Sequence, residues 1–110
     1  MSLENQQIVD MLKALSNETR LDIMCWLSNP DKSFKNLKQH IGGGIPGWGG
    51  ACVGTIQEKA GLSQSTVSGY LKSMQQAGLL ESKRQEKWTF YRINKESVAT
   101  LCCFIESWRG

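Results

Sequence analysis

Along this chain apolar residues recur at intervals of three and four in six stretches and alternate with polar ones near a short hairpin. Ile8, Met11, Leu12 and Leu15 mark a first amphipathic helix over 7–15, because side chains three and four apart share one face of an α-helix. Ser16-Asn17 interrupts it. Asn17 then caps a second helix, 19–27, with Glu18 in its first turn. Leu21, Ile23, Met24 and Leu27 spread around that helix and mark it as a core element. Asn29-Pro30 closes it, since a residue before proline is biased away from helical geometry. Phe34, Leu37 and Ile41 among the lysines predict a third helix over 31–41, short and mostly exposed.

The tract 42–50, Gly-Gly-Gly-Ile-Pro-Gly-Trp-Gly-Gly, breaks the helical pattern. Neither a Gly-Lys-Ser/Thr run nor a strand-loop-helix frame accompanies it, so a phosphate-cradling loop is disfavoured and a flexible connection anchored by Trp48 is expected. Ala51-Cys52-Val53 reads as a single strand segment or extended lead-in. Thr55 opens the next helix with Glu58 three residues on, the pattern of a capping box, and Ile56 and Ala60 face inward. Gly61-Leu62 makes a turn, Ser63 caps a longer helix, and Gly78 closes it in the left-handed region. Val67, Tyr70, Leu71 and Met74 form its buried stripe, which turns Gln64, Ser65, Ser68, Gly69 and Lys72 outward.

Glu81–Gln85 and Trp88–Ile93 read as two strands joined at Glu86-Lys87, with Trp88, Phe90 and Tyr91 expected to pack rather than stack on bases. Asn94 caps a last helix, 95–108, whose Val98, Leu101, Cys102, Ile105 and Trp108 give a broad apolar face. In so small a chain such a face calls for a partner, and the terminal helices (about 5–15 and 95–108) are the expected dimer surface.

Helix, tight turn, helix and hairpin in this order describe a winged helix-turn-helix, a mostly α fold of about five to six helices with a two-stranded wing, filling residues 1–110 as one domain. The second helix of the pair would enter the DNA major groove. There Gln64 can hydrogen-bond adenine, Ser65 and Ser68 suit phosphate or base contacts, and the Thr66 methyl can meet a thymine methyl. Ser63 and Lys72 flank this face, and the wing tip adds Lys83, Arg84 and Lys87 for the backbone or minor groove.

The net charge of +3 is mild, but from Leu62 to Arg92 five cations face only Glu81 and Glu86, the footprint expected for phosphate contact. One histidine and no C-x-x-C leave no zinc site of usual spacing, no Ser/His/Asp set and no cofactor. Four cysteines do not make a secreted disulfide framework, and the N-terminus lacks a signal-peptide pattern, so a cytoplasmic, non-enzymatic protein is expected. A protein-interaction module without DNA is the weaker competitor, since it has no need of a serine-rich face beside a basic hairpin.

ALSNETRLDIMCWL and EKAGLSQSTVSGYLKSMQQAGLLESKRQEKWTFYRI closely resemble the ArsR/SmtB family of bacterial winged-helix repressors over nearly the whole chain except 30–50. The resemblance implies a homodimer that represses transcription and leaves DNA when an inducer binds, and two-fold pairing of recognition helices about one DNA turn apart predicts a palindromic operator. It implies base reading by Gln64, Ser65, Thr66 and Ser68, with Gly69 standing where many relatives carry histidine or arginine. Arsenic-sensing relatives carry a Cys-Val-Cys run where this chain has Cys52-Val53-Gly54, and the zinc-sensing histidines are missing from 95–108. No metal site is therefore expected. Thiol-sensing relatives pair one cysteine from each of two helices, which here would join Cys25 to Cys102 or Cys103; the alternative is that these are small core residues.

Overall fold

The computed structural model describes residues 3–37 and 43–110. Its elements run α1 (Leu3–Leu15), α2 (Glu18–Ser28), α3 (Pro30–Ser33), β1 (Ala51–Cys52), α4 (Val53–Ala60), α5 (Gln64–Gln76), β2 (Leu80–Gln85), β3 (Trp88–Ile93) and α6 (Lys95–Glu106), ending in a 3-10 turn at Ser107–Arg109. The expected mostly helical architecture with a hairpin is present, and a third strand enlarges the sheet.

Asn17 caps α2 by accepting from the Arg20 amide at 3.1 Å. Only Ile23 and Leu27 of that helix are buried, while Leu21 is 50% exposed, so α2 buries one face and is not the core helix expected. Asn29 then caps α3, with Pro30 in the first turn where its missing N–H costs nothing. Of the short, mostly exposed helix expected over 31–41, only a single turn, Pro30–Ser33, forms in the described part. It stops after one turn because Phe34 swings inward, fully buried and edge-on to Trp26 at 6.4 Å. Burying a phenyl ring outweighs the few hydrogen bonds that so short a helix could add. The remainder of that predicted helix beyond Leu37, and Gly42, lie outside the described residues.

Residues 43–50 are a folded turn rather than a loose connection. Ile45 is buried and exchanges backbone hydrogen bonds with Gly49 at 3.0 and 2.6 Å. Trp48 is the expected anchor, its ring lying against Arg92. The turn delivers β1 to the edge of β3, pairing Ala51 with Tyr91 and Cys52 with Phe90, so the antiparallel order is β1-β3-β2. Gly50 sits at φ +77°, and a Cβ there would lie 2.6 Å from the Tyr91 carbonyl oxygen, which leaves glycine the residue for that approach.

Strand pairing also moves the start of α4. The helix begins at Val53, with Cys52 at the capping position and no side-chain cap, so the Thr55–Glu58 capping box does not form. Thr55 is instead fully buried in the first turn, its hydroxyl 3.1 Å from Cys52 Sγ, and Glu58 is exposed.

Ile8 and Met11 of α1, Ile23 of α2, Ile56 of α4, and Val67, Leu71 and Met74 of α5 meet in one core with Leu79, Tyr91 and Leu101. Arg20 fastens the α1–α2 corner to α5: its Nε donates to the Ala14 carbonyl at 2.6 Å, and its guanidinium lies 5.3 Å from the Tyr70 ring centroid. Asn94 caps α6 through the Ser97 amide at 3.2 Å, yet only Ser97 and Leu101 of that helix are buried. The helix ends at Glu106 rather than 108, and Ile105 on its outer face and Trp108 in the following 3-10 turn are exposed in the protomer, Trp108 to 66%. Among the described residues no helix is long and apolar enough to cross a membrane.

Candidate nucleic-acid interface

The α4–α5 pair is held as a rigid corner. Ile56 and Val67 are both fully buried between the helices, and Gly61 ends α4 at φ +68°, its amide bonded to the Gln57 carbonyl at 3.0 Å. Only glycine takes that left-handed turn without steric cost, which lets Leu62 and Ser63 start the next helix at once.

Ser63 caps α5 by accepting from the Thr66 amide at 3.2 Å and donates its own proton to Thr66 Oγ1 at 2.8 Å. Ser63 is therefore committed to the helix end as well as sitting beside the outer face. Burial of Val67, Leu71 and Met74 turns the opposite side to solvent: Gln64, Ser65, Thr66, Gly69 and Lys72 are exposed, and Ser68 is half-buried. Tyr70 is half-buried rather than part of the sealed stripe. Around Gly69 a Cβ would meet nothing within 4 Å.

The wing is the hairpin of β2 and β3, whose register runs from Leu80 opposite Ile93 to Gln85 opposite Trp88. Glu86, at φ +56°, and Lys87 make its two-residue loop; a left-handed non-glycine residue there keeps the turn tight at some cost in strain. Tyr91 is buried and Phe90 half-buried, as packing residues should be. Trp88 departs from that expectation, since it is 47% exposed at the tip beside exposed Lys83, Arg84 and Lys87. Alternation along β3 could not reveal this, because it tells which side a residue takes and not where the core under that side ends. Lys72, Lys83 and Lys87 have no ion pair among the described residues. Arg84 bonds to the Glu86 carbonyl at 3.3 Å.

Wing and helix are not separate features. Gln64, the first residue of α5, and Lys87, Trp88 and Thr89 of the wing line the same open groove, with α4 forming its remaining wall. Helix start and hairpin tip thus open on one side of the molecule, while Gly69 and Lys72 continue the exposed face along α5. The three thiols singled out in the sequence, Cys25, Cys102 and Cys103, are free and exposed in the protomer, while Cys52 is buried. Among the described residues no cluster of three or more His, Cys, Asp or Glu could hold a metal ion.

A helix-turn-helix with an exposed polar second helix and a cationic wing opening on the same side defines a winged helix-turn-helix DNA-binding domain. Comparison with known proteins makes the class specific. Residues 49–82 match the model of the bacterial regulatory protein, arsR family. The uncharacterized HTH-type transcriptional regulator YbzH of Bacillus subtilis is 37% identical over 99 residues, 90% of this chain and 95% of that protein. The biofilm growth-associated repressor of Xylella fastidiosa is 26% identical over 86% of this chain and 67% of its own length. A homodimeric winged helix-turn-helix DNA-binding domain from Mycobacterium bovis, solved in solution, superposes with a TM-score of 0.65 at 26% identity, covering 94% of this chain and 78% of that one. The chain belongs to the ArsR family of bacterial transcriptional regulators, which are DNA-binding proteins and not enzymes.

Proposed function

We propose that the chain acts as a homodimeric, sequence-specific repressor, bound to a palindromic operator and released from it by an inducer, in the cytoplasm where its DNA lies. The observation that carries this reading is the common groove flanked by Gln64 and Lys87, which ties the polar face of α5 to the cationic wing. Gln64, Ser65, Thr66, Ser68 and Gly69 meet base edges or phosphates, Ser63 sets the helix end, and Lys72, Lys83, Arg84 and Lys87 hold the backbone. Exposed Leu12 on α1 and Ile105 and Trp108 at the α6 end support dimerisation through the terminal helices. Two-fold pairing then sets two recognition helices about 34 Å apart, one turn of DNA.

A gel shift against the DNA upstream of the chain's own coding sequence tests the reading. Affinity is expected to rise steeply as salt falls, and replacing Lys83, Arg84 and Lys87 together with alanine flattens that slope by about three per protomer. Salt-independent binding, or no binding, contradicts it.

A thiol-responsive release is the second reading, favoured by the exposure of Cys25 on α2 and of Cys102 and Cys103 on α6. It requires two of these thiols to close a disulfide, Cys25 with Cys102 or Cys103, on oxidation by a persulfide or peroxide. Mass spectrometry after organic persulfide treatment should show that link together with DNA release; thiols that all stay free rule it out.

A further inference from the structure

The wing tip carries an aromatic ring that takes no part in the core. Trp88 lies outside the buried core and outside the residues packed on it, and about half of its surface is open to solvent. The Lys87 ammonium stands 5.2 Å from the ring centroid, so apolar plane and cation are presented together. Both face a groove of about 600 Å³ whose other walls come from Gln57 and Glu58 of α4 and Gln64 of α5.

We propose that this groove seats one sugar–phosphate strand of the bound duplex, with Lys87 on a phosphate and the Trp88 ring packed on the neighbouring deoxyribose. The inference rests on the DNA-binding reading above and adds to it a strand contact made by an uncharged side chain. Three features select this occupant. Lys83, Arg84 and Lys87 crowd the tip, opposed there only by Glu86, which suits a polyanion. Gln64 belongs to the groove and to the helix face that enters the major groove, so a duplex engaged by α5 must carry a backbone strand past Trp88. Within a duplex the bases are stacked on one another, and the C–H face of the sugar is the apolar surface within reach of a hairpin lying along the backbone. Glu58 lines the groove too, and its carboxylate repels a phosphate, which biases the strand toward the wing side.

A sugar contact carries no sequence information and removes no counterion, and this gives the test its signature. Trp88→Ala, Trp88→Phe and Lys87→Ala are compared with the wild-type chain in salt-titrated fluorescence anisotropy, on the upstream DNA and on a scrambled duplex of equal composition. Trp88→Ala should weaken binding to both duplexes by a similar factor, roughly ten-fold, the scale of one aromatic contact to nucleic acid. Its salt slope and Tm should stay those of the wild type, and Trp88→Phe should recover part of the loss. Lys87→Ala should lower the slope by about one per protomer. Wild-type affinity in Trp88→Ala overturns the proposal and leaves the DNA reading standing. A loss accompanied by a flattened slope and a lowered Tm also overturns it, because Trp88 would then only hold the wing together. If the wild-type chain binds neither duplex, the DNA reading fails and this proposal fails with it.

Discussion

The guanidinium of Arg92 lies over the indole of Trp48, 4.2 Å from the ring centroid, although 44 positions separate the two residues. The same side chain donates from Nη1 to the Trp48 carbonyl at 3.1 Å and from Nε to Glu81 Oε1 at 2.6 Å. One arginine near the root of the wing thus holds the glycine-rich turn against the sheet, and so holds β1 where it can pair with β3. The Arg92–Glu81 pair is about two-fifths exposed and adds little by itself; the stacking and the carbonyl hydrogen bond matter more.

Arg92→Ala should therefore destabilise the chain by about 1–2 kcal/mol, the sum expected for a cation–π contact and a hydrogen bond. Urea unfolding gives the magnitude, and limited proteolysis should show faster cutting within 43–50. Arg92→Lys should recover little, since an ammonium lacks the planar fork that stacks and donates together. Unchanged proteolysis in Arg92→Ala would show that the turn holds itself.

Gly69→Ala separates stability from function. The position is exposed inside α5, and an added methyl meets nothing within the chain. Helix propensity favours alanine by about 1 kcal/mol, so Tm should rise by roughly 4 °C. Operator affinity should fall, because the methyl stands where helix and base edges approach. A higher Tm with undiminished affinity would place Gly69 away from the DNA.

Ser65→Glu should abolish operator binding without harming the fold. Ser65 lies in the first turn of α5, where a carboxylate is favoured by the helix dipole. Facing DNA, the same carboxylate meets phosphate. Anisotropy with labelled duplex measures the loss, and sedimentation velocity should show the wild-type oligomeric state. Retained affinity would contradict the placement of α5 in the groove.

Burial raises the Tyr91 hydroxyl pKa above the ordinary tyrosine value. The folded chain then keeps its proton at pH values where the unfolded chain has lost it. Tyr91 therefore contributes no pH dependence below about 10, and above that stability falls as pH rises through the raised value. Tyr91→Phe should remove part of this alkaline slope in urea midpoints measured between about pH 9 and 11. An identical slope in wild type and variant would exclude Tyr91 as its source.

Periodicity, caps and turn residues are local signals, and they sufficed for α1, α2, α5, α6 and the hairpin, for Asn17, Ser63 and Asn94 as caps, and for the polar face of α5. Whatever depended on partners distant in sequence was decided by tertiary structure. Ala51–Cys52 is legible as a strand segment from its sequence, but its pairing with β3 is not; α4 then starts at Val53, which takes Thr55 out of its expected capping role. The inward turn of Phe34 cut α3 to four residues, and Arg92 fixed Trp48. The exposure of Trp88 was likewise settled by where the core ends beneath the wing. A residue's own neighbours choose its helix or strand, because those hydrogen bonds and faces are local. Whether its side chain meets water or core depends on chain brought in from elsewhere.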